Sequence, residues 1–139
     1  MQFLFVDTQG WAALSNKRDS FHLKAVTVNK ASIKQGKKFI TSNYILDETY
    51  TLILSRIGHT EAVKFGEMIH RTPIIQIVHV TEAIEKMAWQ IFKKYSDKKF
   101  SFTDCTSFVI MNQHRLSEAF TNDNHFEQMG YKILLTKDI

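Results

Sequence analysis

The first apolar run of the chain, Phe3-Leu4-Phe5-Val6, is continuous rather than alternating, which predicts a strand covered on both faces in a parallel sheet. Thr8 can cap a helix reaching about Leu14, although Gly10 weakens it. Between Ser20 and Gln35, Phe21, Ala25, Val28 and Ser32 or Ile33 fall near one helical face, and Gly36 closes the segment. Phe39-Ile40-Thr41 predicts a short strand. Asn43 to Arg56 reads as a helix that Gly58 stops; Thr60 can then cap another over Glu61 to His70, and Pro73 follows as a breaker. Ile74 to Val80 is β-branched and apolar, a strong strand signal. Thr81 opens a helix over Glu82 to Tyr95, and Phe102-Thr103 leads into one over Asp104 to His114. Leu116 to Thr121 and Tyr131 to Leu135 read as strands around a short helix at His125 to Met129. Strands alternating with helices predict an α/β domain with a mostly parallel central sheet flanked by helices.

At 139 residues, 44% hydrophobic and 23% charged, the chain has the size and composition of one globular domain spanning 1–139. One proline and five glycines leave no linker or low-complexity tail. Met1 to Val6 lacks a basic segment and runs straight into Asp7, so it reads as a strand rather than a signal peptide. No apolar run approaches the ~20 residues of a membrane span. The single cysteine, Cys105, excludes an internal disulfide and fits a reducing compartment, so cytoplasm is the expected location. Lys and Arg number 18 against 14 Asp and Glu, a net charge of +4. Clusters such as Lys17-Arg18, Lys93-Lys94 and Lys98-Lys99 suit a polyanion, or simply a solvated surface.

The chemistry concentrates in four carboxylates. Asp7 follows the first strand, Asp104 opens a helix, Asp123 follows Leu116 to Thr121, and Glu48 shares a helix side with Ile45 and Leu52. A carboxylate on an apolar face is costly without compensation. Each has a local alternative: an N-cap for Asp7, a helix N-terminal acid favoured by the dipole for Asp104, a turn acid for Asp123, a buried ion pair for Glu48. A single divalent cation accounts for all four at once. Oxygen-only ligands favour Mg²⁺ or Mn²⁺ over zinc. There is no HExxH helix, no Cys/His cluster, no GxGxxG and no GxxxxGK[ST]. Asp47 is turned about 100° from Glu48 and reads as solvent-facing. His125 reads as packing or hydrogen-bonding locally, and Cys105 as a buried, inert thiol.

Phe5-Val6-Asp7-Thr8, Leu46-Asp47-Glu48-Thr49, Ser101 to Phe108 and Thr121 to Phe126 together resemble a PIN domain, and more narrowly the VapC-type ribonuclease toxins of prokaryotic toxin–antitoxin pairs. Asp19-Ser20-Phe21-His22 is similar to the family's Asp-x-x-His segment. The resemblance spans nearly the whole chain, with Phe102 to Phe108 its most specific part. It implies a three-layer PIN-like fold and an endoribonuclease whose acids bind Mg²⁺ or Mn²⁺. Asp7, Glu48 and Asp104 match the three central acids, Asp123 the fourth, and Thr8 and Thr106 the small hydroxyl positions near the site. An RNA substrate, an antitoxin partner and a homodimer are implied as well. Gln9-Gly10 departs from the family's small or apolar residues, and the end at Ile139 leaves no room for a C-terminal appendage. Pairing also agrees with the surplus of apolar residues on Ala25 to Ile33 and Glu61 to His70. Two rivals are another Mg-dependent α/β phosphohydrolase or receiver-type domain, and a non-catalytic RNA-binding or scaffold protein of this fold. Asp7-Thr8-Gln9 lacks the second acid of the first rival, and the second would be marked by lost acids.

Overall fold

In the computed structural model, which describes residues 2–137, the chain alternates five strands and seven helices. They are β1 (Phe3–Val6), α1 (Thr8–Ser15), α2 (His22–Lys34), β2 (Lys38–Ser42), α3 (Asn43–Arg56) and α4 (His59–Arg71). Then come β3 (Ile75–Val78), α5 (Glu82–Lys94), α6 (Phe102–Gln113), β4 (Glu118–Phe120), α7 (Asn124–Gln128) and β5 (Lys132–Ile133). The expectations about Met1 and the end at Ile139 lie outside the described residues.

The strands form one sheet in the order β3-β2-β1-β4-β5, parallel throughout rather than mostly so. β1 is central, with Phe5 opposite Ile40 on one side and Ala119 on the other. That position explains its continuous apolar run: Leu4, Phe5 and Val6 are all buried. From β1 the chain steps outward to β2 and β3, then returns to the other side of β1 as β4. The reversal between β1 and β4 is the topological switch point, where ligands collect in open α/β sheets. Helices α1 to α4 pack against one another, α5 to α7 form a second group, and with the sheet they make a three-layer α/β fold.

Several boundaries differ from expectation for local reasons. Helix α4 starts at His59 with Gly58 as its cap, at φ 147°, so Thr60 caps nothing. A backbone angle that side chains rarely tolerate turns the chain early there. Helix α6 starts two residues before Asp104. Its cap is Ser101, whose hydroxyl accepts from the Asp104 N–H while the Asp104 carboxylate accepts from the Ser101 N–H. Strand β3 is an edge strand only partly covered, and shrinks to Ile75–Val78. Strands β4 and β5 are likewise shorter than their apolar runs, although Leu135, beyond β5, is buried and its N–H still donates to the Thr121 carbonyl at 3.1 Å.

Gly10 has the opposite meaning to the one its helix propensity suggests. A Cβ there would stand 2.2 Å from the Phe120 carbonyl oxygen. The missing side chain lets the first turn of α1 lie against the end of β4. The Asp7 N–H donates to the same carbonyl at 3.3 Å, so the close approach sets Asp7 beside β4. A buried relay tightens this corner: the Trp11 indole donates to the Thr41 hydroxyl, which donates to the Val6 carbonyl.

Candidate active site

Asp7, Glu48, Asp104 and Asp123 line one open cleft of about 600 Å³ at the carboxyl end of the sheet, with Thr8 and Ser101 beside them. Asp7 stands at the N-cap position of α1 but makes no capping bond with its side chain. Its Oδ2 instead accepts from the Thr121 hydroxyl at 2.8 Å, across 114 residues. The cap alternative therefore fails for Asp7. For Asp104 both readings hold, because the carboxylate that completes the capping box of α6 also faces the cleft. Asp123 caps α7, its Oδ1 accepting from the His125 N–H at 2.9 Å.

Glu48 departs from its expected place. The core side of α3 is carried by Ile45, Leu46, Thr49 and Ile53, and Glu48 is turned away from it, exposed as a residue with only its carboxylate end partly covered. Its carboxylate end nevertheless meets the cleft, where Oε1 accepts from the Thr8 hydroxyl at 2.9 Å. Among the described residues it forms no buried ion pair. Asp47 is exposed as expected, yet it lies at the rim of the same cleft. Thr106 is fully buried behind the site; its hydroxyl donates to the Thr103 carbonyl and does not line the cleft.

The reading of His125 needs correction. Its ring reaches across 21 residues, with Nδ1 2.9 Å from Asp104 Oδ2 and 3.5 Å from Asp123 Oδ1. One ligand atom each from Asp104, Asp123 and His125 lies within 4.8 Å of the others, a grouping that could hold a metal ion. Sequence spacing hides this contact, because α6 and α7 meet only in the folded chain. Thr121 was missed for the same reason.

Among the described residues no lysine or arginine forms an ion pair with these four acids. Burial raises the Asp7 carboxyl to about 7, and the Asp104 and Asp123 charges push the same way, against the Thr121 hydrogen bond. Burial also raises Asp104, with Asp123 adding to it while Ser101 and His125 oppose. Glu48 is raised by burial and then by the Asp104 and Asp47 charges. The donor set is oxygen-rich, convergent and short of positive charge, which fits a hard divalent cation. Cys105 is no rival centre, since burial pushes its thiol up to about 11.

Sheet order, switch-point cleft and acid quartet define a class of protein, and the family comparison agrees: a PIN domain model matches residues 4–132, and the chain belongs to that family. Within it, the chain is similar to the 23S rRNA-specific endonuclease VapC20 of Mycobacterium tuberculosis, 34% identical over 92% of this chain and 95% of that protein. It is also similar to a VapC ribonuclease of Archaeoglobus fulgidus, 31% identical over 87% of this chain and 77% of the other. The crystal structure of the mycobacterial VapC20, described as a sarcin-ricin loop cleaving toxin, matches with a TM-score of 0.82 at 33% identity, covering 92% and 95% of the two chains. VapBC2 of Rickettsia felis, solved on a promoter DNA fragment, matches with a TM-score of 0.72 over 95% and 97% of the chains, but at 9% identity it shares the fold alone.

Proposed function

We propose that this protein is a metal-dependent endoribonuclease of the VapC type, acting as the toxin of a toxin–antitoxin pair, with the whole chain 1–139 working as one nuclease domain. The observation that carries this reading is the set of four carboxylates converging at the switch point without a cationic side chain. Asp7, Glu48, Asp104 and Asp123 are its metal ligands, and Mg²⁺ or Mn²⁺ the cation. Family membership sets aside the receiver and phosphohydrolase rival. The retention of all four acids argues against a non-catalytic scaffold.

A bound divalent cation supplies a more acidic water and charge to offset the scissile phosphate. The protein's part is to aim the acids, with hydrogen bonds that favour the ionised form against burial. Thr121 holds Asp7 by one oxygen, Thr8 holds Glu48, the Ser101 N–H holds Asp104 and the His125 N–H holds Asp123. Each of these bonds falls on a single carboxylate oxygen. Thr8 acts at the site directly, whereas Thr106 supports it from behind by fixing the start of α6.

One relative acts on 23S rRNA, so a hairpin loop of large-subunit ribosomal RNA is the first substrate to try. Purified protein should cut such an RNA with Mn²⁺ or Mg²⁺, and EDTA should stop it; equal cleavage in EDTA would overturn the metal reading. An antitoxin and a second copy of the chain are the proposed partners. The dimer rests on apolar residues left at the surface. Ile33 on α2 and Val63 and Met68 on α4 fall within the expected stretches, and Leu23 on α2 with Met87, Trp89 and Phe92 on α5 add to them. A monomeric mass by light scattering at micromolar concentration would remove it. No helix among the described residues is long and apolar enough to cross a membrane, and the cytoplasm, where ribosomal RNA is met, remains the proposed location.

A further inference from the structure

Asp104 is anchored twice on the same atom. Its Oδ2 accepts from the Ser101 N–H at 3.0 Å and faces His125 Nδ1 at 2.9 Å. An ionised carboxylate can only accept, so Nδ1 carries the proton and donates. Both anchors on Oδ2 leave Oδ1 as the oxygen for a ligand. Residues distant in sequence fix the imidazole itself. Its ring lies edge-on to Phe100, at 5.5 Å between centroids and 80° between planes. Phe100 is buried and packs in turn on Phe108, at 5.0 Å. From the other side Asp123 Oδ1 accepts the His125 backbone N–H and lies 3.5 Å from Nδ1. The ring thus stands between two acids that repel each other, its donor edge turned to both.

We infer that His125 is a positioning residue of the nuclease site: its Nδ1–H clamps Asp104 in the orientation that ligates the cation and spaces Asp104 from Asp123, without itself binding the metal. This inference rests on the metal-site reading above. Hydrogen bonds of this kind around a metal ligand typically govern affinity by about 10- to 100-fold.

Two substitutions separate the hydrogen bond from the packing. His125→Asn keeps a donor near the place of Nδ1 but loses the ring; His125→Phe keeps the ring on Phe100 but loses the donor. Mn²⁺ affinity of the full chain is read from the loss of the free-ion signal in electron paramagnetic resonance, and unfolding in EDTA checks that each variant folds. The expected result is Mn²⁺ affinity weakened by about 10-fold or more in His125→Phe and within about 3-fold of the parent in His125→Asn. RNA cleavage should follow the same order. Equal losses in both variants would reduce His125 to a packing role, and parent-like affinity in both would remove any role. Pulsed measurements showing an imidazole nitrogen coupled to bound Mn²⁺ would make it a ligand instead and overturn the inference. If the parent binds no Mn²⁺ at all, the metal-site reading fails first and carries this one with it; if the parent binds and only the variant pattern is wrong, the failure belongs to His125 alone.

Discussion

The two ends of the sheet handle charge in opposite ways. At the amino ends of the strands, Glu118 sits between Lys37 and Lys132, at 3.4 and 3.9 Å. At the carboxyl ends, four acids share a cleft with no lysine or arginine paired to them among the described residues. The first arrangement is complete in the protein alone: opposite charges meet, partly in solvent, and contribute little beyond local order. The second is incomplete by itself, and the raised Asp7, Glu48 and Asp104 carboxyls are the physical sign of that. Charge balanced within the chain marks structure, and charge left unbalanced at a switch point marks a place for something to bind.

The strongest way to break the comparison is to remove one acid from the unbalanced end. Asp104→Asn or Asp7→Asn keeps the shape and deletes a ligand charge. RNA cleavage should fall on the order of 1,000-fold, while unfolding in EDTA should show apo stability level or raised. Parent-rate cleavage by a folded variant would mean the chemistry lies elsewhere. If Asp104→Asn unfolds the protein instead, its cap role dominates.

The pH dependence of the apo protein comes next. The Asp7 carboxyl titrates near 7 in the fold but near 3.8 when exposed in the unfolded chain. Between those values the folded state holds a proton that the unfolded state has lost, so stability is fully present below about pH 4 and is lost as pH rises through 7. Denaturant unfolding in EDTA should give a few kcal/mol more stability at pH 5 than at pH 8. Asp7→Asn should flatten that slope. Mn²⁺ should raise the melting temperature more at pH 8 than at pH 5, since it binds the ionised folded site. A rise in apo stability from pH 5 to 8 would contradict the uncompensated cleft.

Gly10→Ala tests how that end is held together rather than charged. A methyl group 2.2 Å from the Phe120 carbonyl forces α1 away from β4. A loss of about 1–3 kcal/mol is expected by chemical denaturation, with weaker Mn²⁺ binding because Asp7 moves with α1. An unchanged midpoint would show that the corner is slack. The smallest effect belongs to the balanced end, where Glu118→Gln should cost under about 1 kcal/mol and leave cleavage unchanged. A large loss of activity there would blur the distinction between the two ends.

Much of this was legible without coordinates, because its causes are local. A continuous Phe3–Val6 run can be satisfied only by cover on both faces, and glycine and hydroxyl punctuation divides the chain into alternating elements. Placing acids immediately after strands and at helix starts predicts their gathering in a parallel α/β fold, since all parallel strands end on one side. The motif order carried the family as well, and the match over residues 4–132 agrees with it.

What the tertiary structure decided depends on pairs far apart in the chain. Gly10 reads as a weak point of a helix by propensity, yet the Phe120 carbonyl beside it leaves no room for a side chain. His125 reads as a local residue by spacing, yet α7 docks against the start of α6 and brings its ring to Asp104. Glu48 shares a helix side with Ile45 by spacing, yet the core lies against Ile45, Leu46, Thr49 and Ile53, and a rotation of that size cannot be read from periodicity when Leu46, Thr49 and Leu52 fit several faces. Residue order determined which elements form and that their acids share one edge. Only packing across 21, 40 and 114 residues decided which imidazole holds Asp104 and which hydroxyl holds Glu48 and Asp7, because those bonds join elements whose relative placement no local preference specifies.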